Sequence, residues 1–314
     1  MHLYGTAMVR NEADIIEAFV RHNLTVLDGL AIVDHGSCDG TSEILANLVA
    51  EGLPLTVVSS EVIAYSQSAI TTKSVRDVFA NTPADFVFVI DADEFLKIPS
   101  RSLVEDVLGH LPGGMHALLQ WQTYVPQFAE GEVPEMRVLL ASSQRLVEER
   151  HSLHKVVVAR HFMNAPDAFI EIGNHVVRPS KAHVIDRLSN PHARINPTAA
   201  ALAHVPVRSA DQFSAKIAVG WLAFLATHSD DPDTTFHWRE AYRDIANGQT
   251  LSAQFLSTIA CNYSLRKSRW LPPAQVPRVA DPFLAEIELK YAHLNRQRPL
   301  PLVLAFAERL IRGG

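Results

Sequence analysis

One stretch constrains this chain more than any other. Residues Asp85-Phe86-Val87-Phe88-Val89-Ile90 form an apolar run that ends in Asp91-Ala92-Asp93-Glu94-Phe95. A strand with no polar face is expected in the middle of a parallel sheet, with helices covering both sides. What precedes it agrees. Apolar β-type runs at 3–9, 29–33 and 54–59 alternate with helical patterns at 12–26, 42–51 and 68–79. The first helix carries Ile15, Ile16, Phe19, Val20 and Leu24 at helical spacing, and Asp39-Gly40-Thr41 opens the second, with Ile44, Leu45 and Leu48 facing inward. Regular alternation of this kind implies an α/β, doubly wound sheet with right-handed crossovers, whose ligands sit at the carboxyl ends of the strands.

Beyond residue 112 the pattern becomes mixed, with β-like runs at 115–121, 154–159 and 169–177 between loops rich in Pro, Asn, Ser and His. From residue 210 it turns helical, at 211–225, 238–246, 253–263 and 301–312. The expected organisation is therefore an α/β unit over 1–209 and a helical region over 210–314 packed on it. The last helix sets Leu302, Leu304, Phe306, Leu310 and Ile311 beside Arg309 and Arg312, a pattern that fits packing on the sheet or a peripheral contact with the inner face of a membrane.

Composition excludes several classes. With 47% hydrophobic and 20% charged residues the chain buries a core, and no apolar stretch approaches the ~20 residues of a membrane-spanning helix. The start, Met1-His2-Leu3-Tyr4-Gly5, lacks the features of a secretory signal, so a cytoplasmic location is expected. Two cysteines, Cys38 and Cys261, support neither a disulfide framework nor a cysteine zinc site. A net charge of −6 without a basic cluster makes nucleic acid a poor partner.

The acids after the 86–90 run carry the chemistry. Three carboxylates in four positions repel one another unless a cation neutralises them. Hard oxygens suit Mg²⁺ or Mn²⁺, and Mg²⁺ is commonly held by one or two carboxylates with substrate phosphates completing its shell. The spacing suggests a site for a metal and a diphosphate; the alternative is that Asp91 and Asp93 merely cap a loop or a helix.

Val9-Arg10-Asn11-Glu12 after the first strand, Asp34-His35-Gly36-Ser37-Cys38-Asp39-Gly40-Thr41 after the second, and the D-x-D-E-F sequence together resemble the nucleotide-sugar-binding half of family 2 glycosyltransferases with the GT-A fold. The detailed form, Met8 to Glu12 with D-x-D-E-F, is closer to a branch that also resembles family 92 glycosyltransferases. His204 and the later Lys216-Ile217-Ala218-Val219-Gly220 match its His-centred segment and "Lys-Ile-x-x-Gly" helix, so the resemblance covers roughly residues 3–220. It implies a GT-A-like, Rossmann-like, mixed but mainly parallel sheet flanked by helices, with a helical C-terminal region. It also implies that Val9, Arg10, Asn11, Glu12 and Asp34 line a nucleoside pocket. Asp91 would face the ribose or the metal, Asp93 would ligate the metal bridging the diphosphate, and His204 would be a third ligand. His35 stands where family 2 enzymes often carry a second acid, so the resemblance does not name the nucleotide.

The expected activity is transfer of a sugar from a nucleoside diphosphate donor of the UDP or GDP type to a glycan or other hydroxyl acceptor, with inversion. A cation aimed at the departing diphosphate would stabilise the charge that develops there. Arg208, Lys216 and Lys155 are candidate helpers, each also explicable as a surface charge. Inversion needs a carboxylate base; Glu94 and Glu171 are the candidates, and a structural salt bridge would explain either. Fifteen histidines, among them His151, His154, His161, His175, His183, His192 and His204, show no H-E-x-x-H pair, which argues against hydrolytic zinc. His175 is the next to suspect of facing the site. Trp121, Tyr124 and Trp221 could stack on a sugar or belong to the core. Two other readings stay open: a sugar nucleotidyltransferase, although the loop at 9–12 has no glycine, and a sugar- or nucleotide-binding module without turnover.

Overall fold

The computed structural model describes all residues except 61, 63, 65, 132–133, 180–191, 228–235 and 314, so His183 lies outside the described residues. The strands are β1 (Leu3–Val9), β2 (Gly29–Asp34), β3 (Leu55–Ser59), β4 (Phe86–Val89), β5 (Glu94–Lys97), β6 (His116–Val125), β7 (Gln144–Leu146), β8 (His154–Ala159), β9 (Phe169–Ile170), β10 (Val177–Arg178), β11 (His192–Arg194), β12 (Ala201–His204) and β13 (Arg278–Ala280). The helices are α1 (Ile16–Asn23), α2 (Thr41–Ala50), α3 (Gln67–Asn81), α4 (Arg101–Gly109), α5 (Met136–Ser142), α6 (Ala210–Leu225), α7 (Phe236–Ala246), α8 (Ala253–Cys261) and α9 (Pro299–Gly313).

The main sheet runs β13-β7-β6-β8-β4-β1-β2-β3, with β11 and β12 also pairing with β6, and β5 with β12. Strands β3, β2, β1 and β4 are mutually parallel, β8 joins antiparallel, and the remainder is mixed. This is the expected α/β, Rossmann-like architecture, a mixed sheet flanked by helices. The β4 run shows why it had to be central. Phe88 and Ile90 enter one core layer beside Phe19 and Phe95, while Val87 and Val89 enter the other beside Val75 and Val78. Alternate side chains of a strand point to opposite faces, so a strand apolar at every position needs a cover on both.

Several elements differ from expectation, and α4, α5, β7, β11 and β13 had no counterpart in the sequence reading. The first helix begins at Ile16 instead of Glu12, because residues 12–15 form a turn in which Ile15 N–H donates to the Glu12 carbonyl. The run at 169–177 is a hairpin, β9 and β10, broken by Gly173 and Asn174, both with positive φ. Strands β5 and β12 had no counterpart in the sequence reading. They pair antiparallel with Ala203 opposite Phe95 and His204 opposite Glu94, and β12 also runs parallel to β6 with His204 opposite Thr123.

The C-terminal region is woven into the body. Phe283, Leu284, Ile287 and Leu294 pack against the first core layer, and Phe213, Ile217, Leu256 and Ile259 form a further cluster with Val125, Leu146 and Val207. Helix α9 buries Leu302 and Phe306 against α6 and leaves Leu300, Leu304 and Ile311 exposed. Among the described residues no helix is long and apolar enough to cross a membrane.

Candidate functional site

Strand β1 lies between β2 and β4, so the chain leaves β1 towards one side of the sheet and returns on the other. Such a point of reversal opens a crevice at the carboxyl ends of the strands. Here those ends deliver Arg10, Asn11 and Glu12 from β1, His35 from β2, and Asp91 and Asp93 from β4. Two adjoining cavities result. A smaller one, about 140 Å³, is lined by Arg10, Asn11, Glu12 and His35. A larger one, about 620 Å³, is lined by Trp121, Lys155, Glu171, His175, His204 and Tyr263. Asp91, Asp93 and Lys216 line both, standing at the boundary.

The acids are held individually. Asp91 receives Lys155 Nζ at 2.5 Å on one oxygen and the Asn174 amide at 3.0 Å on the other, while its own N–H donates to Glu94 Oε2 at 2.9 Å. Asp93 is 3% exposed; its Oδ2 receives Lys216 Nζ at 2.5 Å and lies 3.7 Å from His204 Nε2. The ammonium charge of Lys216 holds the Asp93 carboxyl well below the usual range against the opposing effect of burial. His204 is pushed down chiefly by burial, despite Asp93 beside it, and is neutral. Its ring stacks on Trp121 at 4.2 Å between centroids, with Tyr263 edge-on at 5.5 Å. The pairing of β12 with β5 and β6 is what sets His204 beside Asp93, over a hundred residues away in the chain.

The smaller cavity is walled by loops that satisfy themselves. Arg10 Nε donates to the His35 carbonyl at 2.7 Å, and burial together with Arg10 pushes His35 down to about 4, so its ring is neutral. Asn11 adopts φ of 57°, accepts from Cys38 N–H through its side chain, and has its carbonyl capped by Gln297 at 2.6 Å. Glu12 is raised to about 7 by burial, opposed by Arg208.

Several expected roles are corrected by this geometry. Arg208 is 1% exposed and does not line either cavity; it is clamped by Asp14 at 2.6 and 2.9 Å and by Glu12 at 2.5 Å, so it supports the loop after β1 from beneath. Glu94 is fully buried beneath the cleft, 3.4 Å from Lys155, and burial raises its carboxyl well above the usual range, so it positions Asp91 and Lys155 and cannot reach a substrate proton. Asp34 spends one oxygen on the Ser37 N–H and the other on the Ser42 hydroxyl, shaping the turn into α2 instead of lining the pocket. Val9 is 1% exposed and belongs to the core. Tyr124 is buried against Phe283, and Trp221 stacks on Phe224 in α6; neither lines the cleft. Glu171 does line the larger cavity, 3.0 Å from Arg178, and His175 lines it too. Asn174, Tyr263 and Asp14 were missed. Only Asn174 had a local signal, since a Gly-Asn pair marks a turn.

A divalent cation is implied by the resemblance, and the donors can be tested against it. Asp93 Oδ2 and His204 Nε2 converge, a hard oxygen and a neutral imidazole. Asp91 is drawn away by Lys155 and Asn174, and among the described residues no group of three or more acidic, His or Cys side chains comes together. Two protein donors fit a cation whose other positions come from phosphate oxygens and water. They do not make a cage of their own, so Asp91 is set apart from the three-ligand group expected.

No family model matches the chain, and no curated protein does. Among solved structures it is similar to Staphylococcus aureus TarS residues 1–349, at 12% identity over 79% of this chain and 71% of that one, with a TM-score of 0.36. It is similar to the mannosyltransferase PcManGT from Pyrobaculum calidifontis, crystallised with GDP-Man and Mn²⁺, at 15% identity over 83% and 74% of the two chains, with a TM-score of 0.39. It is also similar to glucosyl-3-phosphoglycerate synthase from Mycobacterium tuberculosis, in complex with Mn²⁺, UDP and glucosyl-3-phosphoglycerate, at 20% identity over 71% and 79%, with a TM-score of 0.35. The likeness is distant on every measure, and the functional reading rests on the residues of the cleft.

Proposed function

We propose that this chain is a metal-dependent glycosyltransferase that moves a sugar, with inversion, from a nucleoside diphosphate donor of the UDP or GDP type to a glycan or other hydroxyl acceptor. The observation that carries this is the boundary position of Asp91, Asp93 and Lys216 between two unlike cavities. A donor has the same division, a nucleoside at one end and a sugar at the other, with the diphosphate between. In this reading Arg10, Asn11, Glu12 and His35 face the nucleoside. Trp121, His175, Glu171 and Tyr263 surround the sugar and the acceptor, where an aromatic face suits the apolar side of a sugar ring.

Asp93 and His204 would hold Mn²⁺ or Mg²⁺, which supplies positive charge for the leaving diphosphate when bound. The chain's own cations add to that. Lys155 is fixed by Asp91 and Glu94, and such preorganised charges need no rearrangement as negative charge develops. Glu171 is the remaining carboxylate in position to take the acceptor proton. Asn174 and Lys155 together fix the orientation of Asp91 at the boundary between the two cavities.

Thermal unfolding with UDP, GDP and their sugars, with and without Mn²⁺, tests this directly, because a ligand selective for the native state raises its stability. One nucleotide with metal is expected to raise the midpoint, and Asp93→Ala to abolish the rise. A shift of the same size in the variant would remove Asp93 from the site, and release of nucleoside diphosphate from the sugar donor separates an enzyme from a binding module.

A further inference from the structure

Lys216 stands in an unusual place. Its ammonium contacts the same Asp93 oxygen, Oδ2, that faces His204 Nε2, at 2.5 Å against 3.7 Å. That oxygen is the one a cation shared with His204 would need. Lys155 and Lys216 also differ in freedom. Lys155 is 1% exposed and is held by two carboxyl groups, whereas Lys216 is 20% exposed, has Asp93 as its carboxylate partner among the described residues, and lines both cavities. It sits in the second turn of α6, a helix anchored by Ser209 accepting from Gln212 N–H. A long flexible stem on a fixed helix lets the ammonium swing while its backbone stays in place.

Charge decides what this does. Asp91 and Asp93 bring two negative charges, and Lys155 and Lys216 balance them. A divalent cation arriving alone would have to displace or crowd an ammonium within contact distance, which is a strongly unfavourable encounter in a buried site. A diphosphate arriving with the cation changes the sum, because its oxygens offer Lys216 a new partner and free Asp93 Oδ2.

Building on the nucleotide-sugar reading, we propose that Lys216 is a tethered counter-ion that holds the cation position in the free protein, so that a divalent metal binds tightly only together with a nucleoside diphosphate. Metal and nucleotide are then coupled: each raises the affinity for the other by the same factor, on the order of ten- to a hundredfold for couplings of this kind.

Equilibrium dialysis against Mn²⁺, with and without UDP or GDP, tests this by counting protein-associated metal, and it needs no turnover. The wild-type chain is expected to take up Mn²⁺ weakly alone and far more tightly with one nucleotide. Lys216→Met removes the ammonium, and is expected to bind Mn²⁺ alone on the order of tenfold more tightly or better, with most of the coupling lost. Lys216→Arg keeps the charge and is expected to keep the block. Lys216→Gln is a second neutral variant that still donates to Asp93, for use if the methionine variant does not fold. Neutral variants that bind Mn²⁺ alone no better than wild type would overturn the proposal while leaving the nucleotide-sugar reading intact, provided that wild type still shows coupling. Equal wild-type affinity with and without nucleotide would also overturn it. If no nucleotide binds with or without Mn²⁺, both fall together.

Discussion

At the scale of single residues, the cleft and its foundation use the same charges for different ends. Arg208 and Lys216 are eight positions apart, and both meet carboxylates at about hydrogen-bond distance. Exposure separates them. Arg208, at 1%, has Asp14 and Glu12 as permanent partners, and removing one member of such a buried set leaves unpaired charge behind. Arg208→Met is therefore expected to lower stability by about 3–5 kcal/mol, the usual cost of breaking a buried ion pair, read as a shift of the urea midpoint. A loss below about 1 kcal/mol would show the clamp to be unimportant. Glu171 carries the opposite expectation. It lies at the cavity edge, paired with Arg178 at 42% and 37% exposure, so Glu171→Gln should leave the urea midpoint unchanged and lower kcat by about 10²–10⁴, the range for a general base. A variant with unaltered kcat would exclude it from proton transfer. The sequence reading names Asp91 and Asp93 from residue type and position and His204 from the resemblance, and all three line the cleft, but their partners were not legible. Nothing local in Lys155 or Asn174 announces that they share the two oxygens of Asp91.

At the scale of elements, length and pattern decided what could be read. The strands β1 and β2 and the helices α2, α3 and α6 carry several periods of pattern, while β4, only four residues long, is marked by the unbroken apolar run of 86–90, and the sequence reading places each of them. Strands β5 and β12 have four residues apiece, too few for a periodicity to stand out, and they exist because they pair with each other and with β6. The missed pairing is the one that brings His204 to Asp93. The strap from 283 to 298 was equally silent, since its hold on the site ends on backbone carbonyls, which any residue carries. Arg296 N–H donates to the Asp39 carbonyl at 2.7 Å, and Gln297 caps the Asn11 carbonyl at 2.6 Å. Gly40 is the point where this strap meets α2. Its φ is +111°, and an added Cβ would lie 2.1 Å from the Leu294 carbonyl oxygen. Gly40→Ala combines a disfavoured conformation with a backbone clash, and is expected to cost more than about 1 kcal/mol. It should also loosen the strap, which amide exchange over residues 283–298 would report. Unchanged protection there would mean that the strap is held by Phe283 and Leu294 packing alone.

At the scale of the whole molecule, several of the fifteen histidines are packing groups whose protonation folding opposes. His116 is 3% exposed, stacks on His161 at 4.5 Å and lies 5.7 Å from His192. Its Nδ1 accepts from Ala159 N–H, which joins β6 to β8 far from the cleft. Burial, with the neighbouring His161 and His192, pushes His116 from 6.5 down to about 3. Between those values the unfolded chain binds a proton that the folded chain does not. This residue's effect is therefore to lower stability as pH falls from 6.5 towards 3, by about 1.4 kcal/mol per pH unit. Other groups contribute slopes of their own, Glu12 with the opposite sign between 4.5 and about 7, so the useful quantity is a difference. His116→Asn, which keeps an acceptor for the Ala159 N–H, is expected to flatten the stability profile between pH 6 and pH 4 by about that slope relative to wild type. Parallel profiles from urea titrations across the range would show that His116 is protonated in the folded protein. They would also mean that the imidazole cluster beside β6 is a wetter, more open place than its packing describes.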